Sequence, residues 1–199
     1  MSFVRTFKVK DKFPRPAESY VARIRDGIRS MPISEIEELV RILLSARKKG
    51  ATVFLAGNGG STSTTAHYAV DWMLGTGLEN PSLRVISLGE SASSITATGN
   101  DQNFESVFSR QLKHLGKSDD VLVVLSASGN SPNLISVCDV AHEQGLIVVA
   151  VTGFNGGQLG EIADLSVHCP TQIGDYGVAE DLHSMIGHIV KEELIWANS

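Results

Sequence analysis

The chain has 199 residues, 42% of them hydrophobic and 20% charged, with a formal net charge of -5. That length suffices for one well-cored domain and does not require two, and the acidic balance gives no field for nucleic acid or an anionic membrane surface. An anionic ligand must therefore be held by backbone amides, hydroxyls or a metal.

Residues 1–15 are mixed and charged, include Pro14, and read as a loosely ordered arm without the apolar core of a signal peptide. The pattern then predicts a helix over about Ala17–Arg29. A second starts after Pro32, with Ser34 as N-cap and Ile36, Leu39, Val40, Ile42, Leu43 and Leu44 as its apolar set. From Lys49 onward, short β-rich runs alternate with helical stretches. Strands are predicted at Thr52–Ala56, Arg84–Leu88, Val121–Ser126, Ile147–Thr152 and Leu165–Cys169. Helices are predicted over about Ser61–Leu74, Ser91–Gly99, Phe104–His114, Asn133–Glu143 and Val178–Trp196. Near-continuous apolar runs such as Val-Leu-Val-Val-Leu suit strands covered by helices on both faces. The alternation predicts an α/β fold, a doubly wound parallel sheet of five strands in one domain over 1–199. Cys138 and Cys169 lie in apolar runs and read as reduced core residues. No apolar run approaches the roughly 20 residues of a membrane helix, so the expectation is a soluble, cytoplasmic protein.

In such a sheet, ligands bind beyond the carboxyl ends of the strands. Two turns there are rich in small polar residues, Ala56-Gly57-Asn58-Gly59-Gly60-Ser61 and Ser126-Ala127-Ser128-Gly129-Asn130-Ser131. Glycine lets backbone amides approach an anion, serine adds donors, and the helix that follows adds partial positive charge. Neither turn has the full dinucleotide or P-loop spacing, so nucleotide binding is disfavoured. A second constellation holds potential metal ligands. His67 and Asp71 are four apart and share a helix face, and Glu180-Asp181-Leu182-His183 precedes His188. Two histidines with two carboxylates suit zinc or a similar ion, although spacing alone also fits a surface pair and would join Glu180 to His183, one turn away.

These residues resemble the sugar isomerase (SIS) domain family, in its phosphoheptose isomerase branch. The resemblance rests on the two loops at 56–61 and 126–131, His67 six residues after Ser61, Gly99-Asn100-Asp101 followed by Phe104-Glu105-Ser106-Val107-Phe108, and Arg110-Gln111. It continues through Val151-Thr152-Gly153, Gly156-Gly157 and the acidic-to-histidine run 180–188, covering the chain from about residue 17 to its end. It implies a flavodoxin-like three-layer sandwich with an N-terminal helical pair, about 17–49, for oligomer packing. It implies an aldose–ketose isomerase acting on sedoheptulose 7-phosphate in heptose and lipopolysaccharide synthesis, a homotetramer with sites at subunit interfaces and no nucleic-acid or membrane partner. By the same resemblance zinc is held by His67, Asp71, Glu180 and His188, and Asp71 and His188 are the acid/base pair. Ser61, Ser126, Ser128 and Ser131 would hold the phosphate, Asn58 and Asp101 would contact hydroxyls, and Gly59, Gly60, Asn130 and Glu180 would complete the substrate- and phosphate-binding set.

The chain also departs from that pattern. Asp71 stands for a usual glutamate, Ala127 for threonine, Gly177 for a frequent aspartate and Glu180 for glutamine, and an arginine expected within 72–76 is missing. The changes point to an altered substrate, a specialised pathway or lost activity. The competing reading is a non-catalytic regulator that binds a phosphosugar or a protein partner such as a replication initiator; retention of His67, Asp71, Glu180 and His188 together speaks for the enzyme. Arabinose-phosphate isomerases and amino-sugar lyases fit the loops and the last helix less well.

Overall fold

The apolar runs pair with one another, because strands this hydrophobic on both faces leave no side for water. In the computed structural model, which describes residues 16–78 and 81–197, β1 (Thr52–Gly57), β2 (Arg84–Ser87), β3 (Val121–Ser126), β4 (Ile147–Thr152) and β5 (Leu165–His168) form one sheet. Every pairing is parallel and the order is β2-β1-β3-β4-β5. The helices are α1 (Pro16–Arg29), α2 (Ile33–Lys49), α3 (Gly60–Met73), α4 (Ala92–Asp101), α5 (Ser109–Leu115), α6 (Pro132–Glu143), α7 (Gly157–Ile162) and α8 (Tyr176–Trp196). The arm read at 1–15 lies outside the described residues.

Successive strand residues point to opposite faces, and the core divides accordingly. Val53, Leu55, Val121, Val123, Val149 and Val151 pack with α2, α3 and α8 residues, among them Leu39, Leu43, Trp72, Leu182 and Ile186. Phe54, Ala56, Leu122, Val124, Val148 and Ala150 pack on the other side with Leu112, Leu134, Val137 and Leu159. Cys138 and Cys169 are buried and free, in opposite faces of this core. Burial pushes their thiols up to about 12 and about 11, so neither is an accessible thiolate at neutral pH.

Three local expectations change. Ser34 is not the N-cap of α2: the helix starts at Ile33 after Pro32, and Ser34 Oγ bonds Glu35 Oε2 at 2.8 Å. The stretch 104–114 is a 3-10 turn, Phe104–Ser106, followed by α5, and Asn103 caps the turn by accepting from Ser106 N–H at 2.9 Å. The short helix α7 lies between β4 and β5, opened by Gly156 and Gly157, both at positive φ.

Two features of this topology build the site. The chain steps from β1 outward to β2 and returns to add β3 on the other side, so the loops after β1 and β3 emerge side by side at the switch point, where such sheets form their crevice. In addition, α3 and α8 run together in one direction. Trp72 Nε1 donates to the Gly187 carbonyl at 3.1 Å, and Tyr68 OH donates to the His183 carbonyl.

Candidate functional site

At the switch point a cleft of about 260 Å³ is lined by Asn58, Gly59, Gly60, Ser61, Ser126, Ala127, Ser128, Ser131, Tyr176 and Glu180, with Leu125 and Leu134 at its base. Two helices point their amino ends at it, α3 of 14 residues and α6 of 12, and no side chain caps either. Pro132 opens α6, where a missing N–H costs nothing. No lysine or arginine lines the cleft, so the attraction for an anion there comes from amide and hydroxyl dipoles.

Bonds within the loops orient those donors. Ser126 Oγ accepts from Gly129 N–H at 3.1 Å and Ser128 Oγ accepts from Asn130 N–H at 3.3 Å. A hydroxyl that accepts from its own loop keeps its proton to donate outward. Gly129 has φ 67°, and a Cβ there would fall 1.9 Å from the Gly156 carbonyl oxygen, so only glycine allows the β3 and β4 loops to touch. Asn130 lies outside the cleft lining and ties these loops together: its Oδ1 accepts from Gln158 N–H at 3.0 Å and its Nδ2 donates to the Ser128 carbonyl at 2.9 Å. Asn58 is clasped to Asn133 by reciprocal amide bonds of 2.9 and 2.8 Å, which fix the β1 loop to the start of α6.

Further along α3 and α8 is a His–Asp–His cluster. His67 Nε2 and His188 Nε2 lie 3.6 and 3.7 Å from Asp71 Oδ2, and the rings meet edge to face with centroids 5.0 Å apart. One ligand atom from each residue lies within 4.8 Å of the others. Two imidazoles and a carboxylate match the three-ligand, open-position arrangement of catalytic zinc sites, so the residues present fit a divalent ion. The imidazoles are half exposed, at 54% and 56%, whereas Asp71 is 14% exposed. Asp71 Oδ1, the other oxygen, faces Lys191 Nζ at 3.2 Å.

Glu180 is not in that cluster. Its carboxylate faces the amino end of α3, and a Cβ at Gly60 would fall 2.6 Å from Glu180 Oε2. His183 and His188 separate cleanly. His183 is 1% exposed, and neither ring nitrogen has a partner of full hydrogen-bond geometry among the described residues. Burial pushes its pKa down to about 4, against a smaller opposing pull from the Thr152 backbone. It is a neutral packing residue, and His188 is the histidine beside Asp71. Asp101 stands apart, in a groove between α4 and α5 with Thr98, Arg110 and His114. Sequence reasoning missed Asn133, Tyr176 and Lys191. Lys191 carried a signal, being three residues after His188 and thus on the same helix face. Tyr176 opens α8, rests edge to face on Phe154 at 5.0 Å and walls the cleft. No spacing rule pairs Asn133 with Asn58.

Comparison with known proteins bears on the family and the fold. Residues 18–153 match the model of the SIS domain. The phosphoheptose isomerase of Akkermansia muciniphila is 35% identical over 158 residues, which is 79% of this chain and 82% of that protein. Among solved structures, a phosphoheptose isomerase from Francisella tularensis superposes with a TM-score of 0.82 at 27% identity, covering 90% of this chain and 94% of its own. The phosphoheptose isomerase from Neisseria gonorrhoeae gives 0.78 at 28% identity, covering 89% and 97%.

Proposed function

The chain belongs to the SIS-domain family, in its phosphoheptose isomerase branch, and from that premise we propose that it interconverts sedoheptulose 7-phosphate and D-glycero-D-manno-heptose 7-phosphate, or a closely related ketose and aldose phosphate pair. The observation that carries this reading is an anion cradle at the amino ends of α3 and α6 with a His–Asp–His cluster farther along α3, where α8 packs beside it. A helix rises about 1.5 Å per residue, so His67 and Asp71 are roughly 10 and 16 Å along α3 from Gly60. That separation suits an extended ligand with its phosphate at one end and its reacting carbons at the other.

Moving a proton between adjacent carbons through an enediol needs a base at one carbon and a donor at the oxygen that gains charge. Asp71 Oδ2 takes the proton, and His188 serves the neighbouring oxygen. Gly59, Gly60, Ser61, Ser126, Ser128 and Ser131 receive the phosphate. Asn130 acts on it through the shape of its loop, and Asn58 and Glu180 border the sugar. Asp101, in its separate groove, is given no contact. His67, Asp71 and His188 would hold a divalent ion, zinc by its donor set, with Glu180 near enough in sequence and cleft to border the same ligand. Bound there, the ion supplies Lewis-acid polarisation of the carbonyl. The product would feed heptose synthesis for surface polysaccharide.

We also propose a homotetramer with the sites at subunit boundaries. The outward face of α3 and its C-cap carries Val70 at 53% and Leu74 at 68% exposure on the same side as half-exposed His67. Exposed apolar side chains grouped in this way suit contact with another protein surface.

The deciding measurement is proton NMR of the metal-loaded protein with sedoheptulose 7-phosphate in D2O. Aldose phosphate carrying deuterium at C2 is the expected result. Exchange without net product would point to a related ketose phosphate, and no exchange with any ketose phosphate would overturn the reading.

A further inference from the structure

The two oxygens of Asp71 have separate partners. Both imidazoles face Oδ2, while Oδ1 is 3.2 Å from the Lys191 ammonium. The lysine reaches it through space left open by Gly75, where a Cβ would lie 2.9 Å from Lys191 Cε and 3.0 Å from its Nζ. The same Cβ would come within 2.7 Å of the Asp71 backbone carbonyl, so a side chain at 75 would force a shift beside this ion pair. The pair is largely withdrawn from water, with Asp71 14% and Lys191 28% exposed. Charge-assisted bonds in such settings fix geometry as well as add energy. Residues 72–76, where the family resemblance calls for an arginine, hold no cation, and Lys191 brings one from the neighbouring helix.

We infer that Lys191 is a positioning residue for the isomerisation: its ammonium pins Asp71 Oδ1 and thereby turns Oδ2 into the gap between His67 and His188. The inference rests on the reading that Asp71 moves the proton. A carboxylate with both oxygens free swings about its terminal torsion, which is broad and roughly two-fold. Pinning one oxygen leaves the other with a single direction. Aspartate needs this more than glutamate, since its shorter arm has one torsion fewer with which to recover a missed geometry. Reacting groups tolerate about 0.5 Å of error, and a displacement of about 1 Å costs on the order of 100-fold in rate.

Initial rates with sedoheptulose 7-phosphate test this on Lys191→Met, Lys191→Arg and Asp71→Asn, with metal content and thermal midpoint matched to wild type. Lys191→Met should lose about 10- to 100-fold in kcat with KM nearly unchanged, Lys191→Arg should recover most of the loss, and Asp71→Asn should be inactive. Wild-type kcat in Lys191→Met beside an inactive Asp71→Asn would overturn the inference and leave the base assignment standing. Equal losses in Lys191→Arg and Lys191→Met, or a deficit confined to KM, would also overturn it, the latter making Lys191 a substrate contact. An active Asp71→Asn would remove the base assignment itself, and Lys191's role with it.

Discussion

Two histidines five residues apart on α8 meet opposite fates, and the cause is which neighbour each faces. His188 looks outward beside Asp71, whereas His183 is sealed between α8 and the sheet, with no partner of full hydrogen-bond geometry for its ring nitrogens among the described residues. A histidine held near a pKa of about 4 in the fold, against 6.5 in the open chain, resists a proton that the unfolded state accepts. Stability is therefore untouched by this group above pH 6.5 and falls as pH drops through the window from 6.5 to 4. Linkage puts the loss at roughly 2 kcal/mol at pH 5. His183→Leu should abolish that part of the acid sensitivity. Urea unfolding of both proteins at pH 7 and pH 5 checks it: the drop between the two pH values should be about 2 kcal/mol smaller in the variant, and an equal drop would mean the ring finds a proton partner in the fold.

At the scale of elements, the spacing between α3 and α8 governs the His–Asp–His cluster. Gly187 is the closest approach: a Cβ there would sit 2.1 Å from Tyr68 Cε1 and 2.4 Å from its Cδ1. The ring has no room to yield, because its hydroxyl is bonded to the His183 carbonyl and Trp72 lies against it at 4.6 Å. Gly187→Ala should cost about 2 kcal/mol by overpacking, a fall of roughly 4–8 °C in melting temperature. It should also weaken zinc binding by levering His188 from Asp71, while inorganic phosphate, held by the loops, binds as before. Calorimetry and chelator competition separate the two effects, and unchanged zinc affinity would show that the cluster tolerates a shift of α8. The same division explains what the sequence disclosed. The five strands were legible because Val121–Leu125 and Ile147–Val151 are apolar at every position, a signature of strands sandwiched by helices. The two loops of the cleft were legible because each is a single contiguous turn. Helix α7 was not, since six residues between glycines carry too little periodicity to stand out. Neither was the Asn58–Asn133 clasp nor the Lys191–Asp71 pair, because both join residues far apart in sequence, and only packing of distant elements decides such partners.

For the whole molecule, the exposed groups of α3 decide between a site complete in one chain and a site completed by another. His67, Val70 and Leu74 are spaced by three and four residues and so form one stripe, and the apolar members leave large side chains facing water. A large apolar patch flanked by functional groups is the surface expected at an interface. A partner seated on Leu74 would also lie over His67, removing water from the imidazole and walling the sugar end of the cleft. Assembly and catalysis should then fail together. Leu74→Asp places a carboxylate where the partner's apolar surface should pack, and desolvating an unpaired charge costs several kcal/mol. Light scattering behind a sizing column should give four times the 21.3 kDa chain mass for the wild type and a smaller species for the variant. Because Leu74 is largely exposed in the single chain, the variant's own fold should keep the wild-type helix content. A smaller species that retains full kcat would show that each chain carries a complete site, and an unchanged mass would move the interface off α3, to α1 and its exposed Val21 and Ile28.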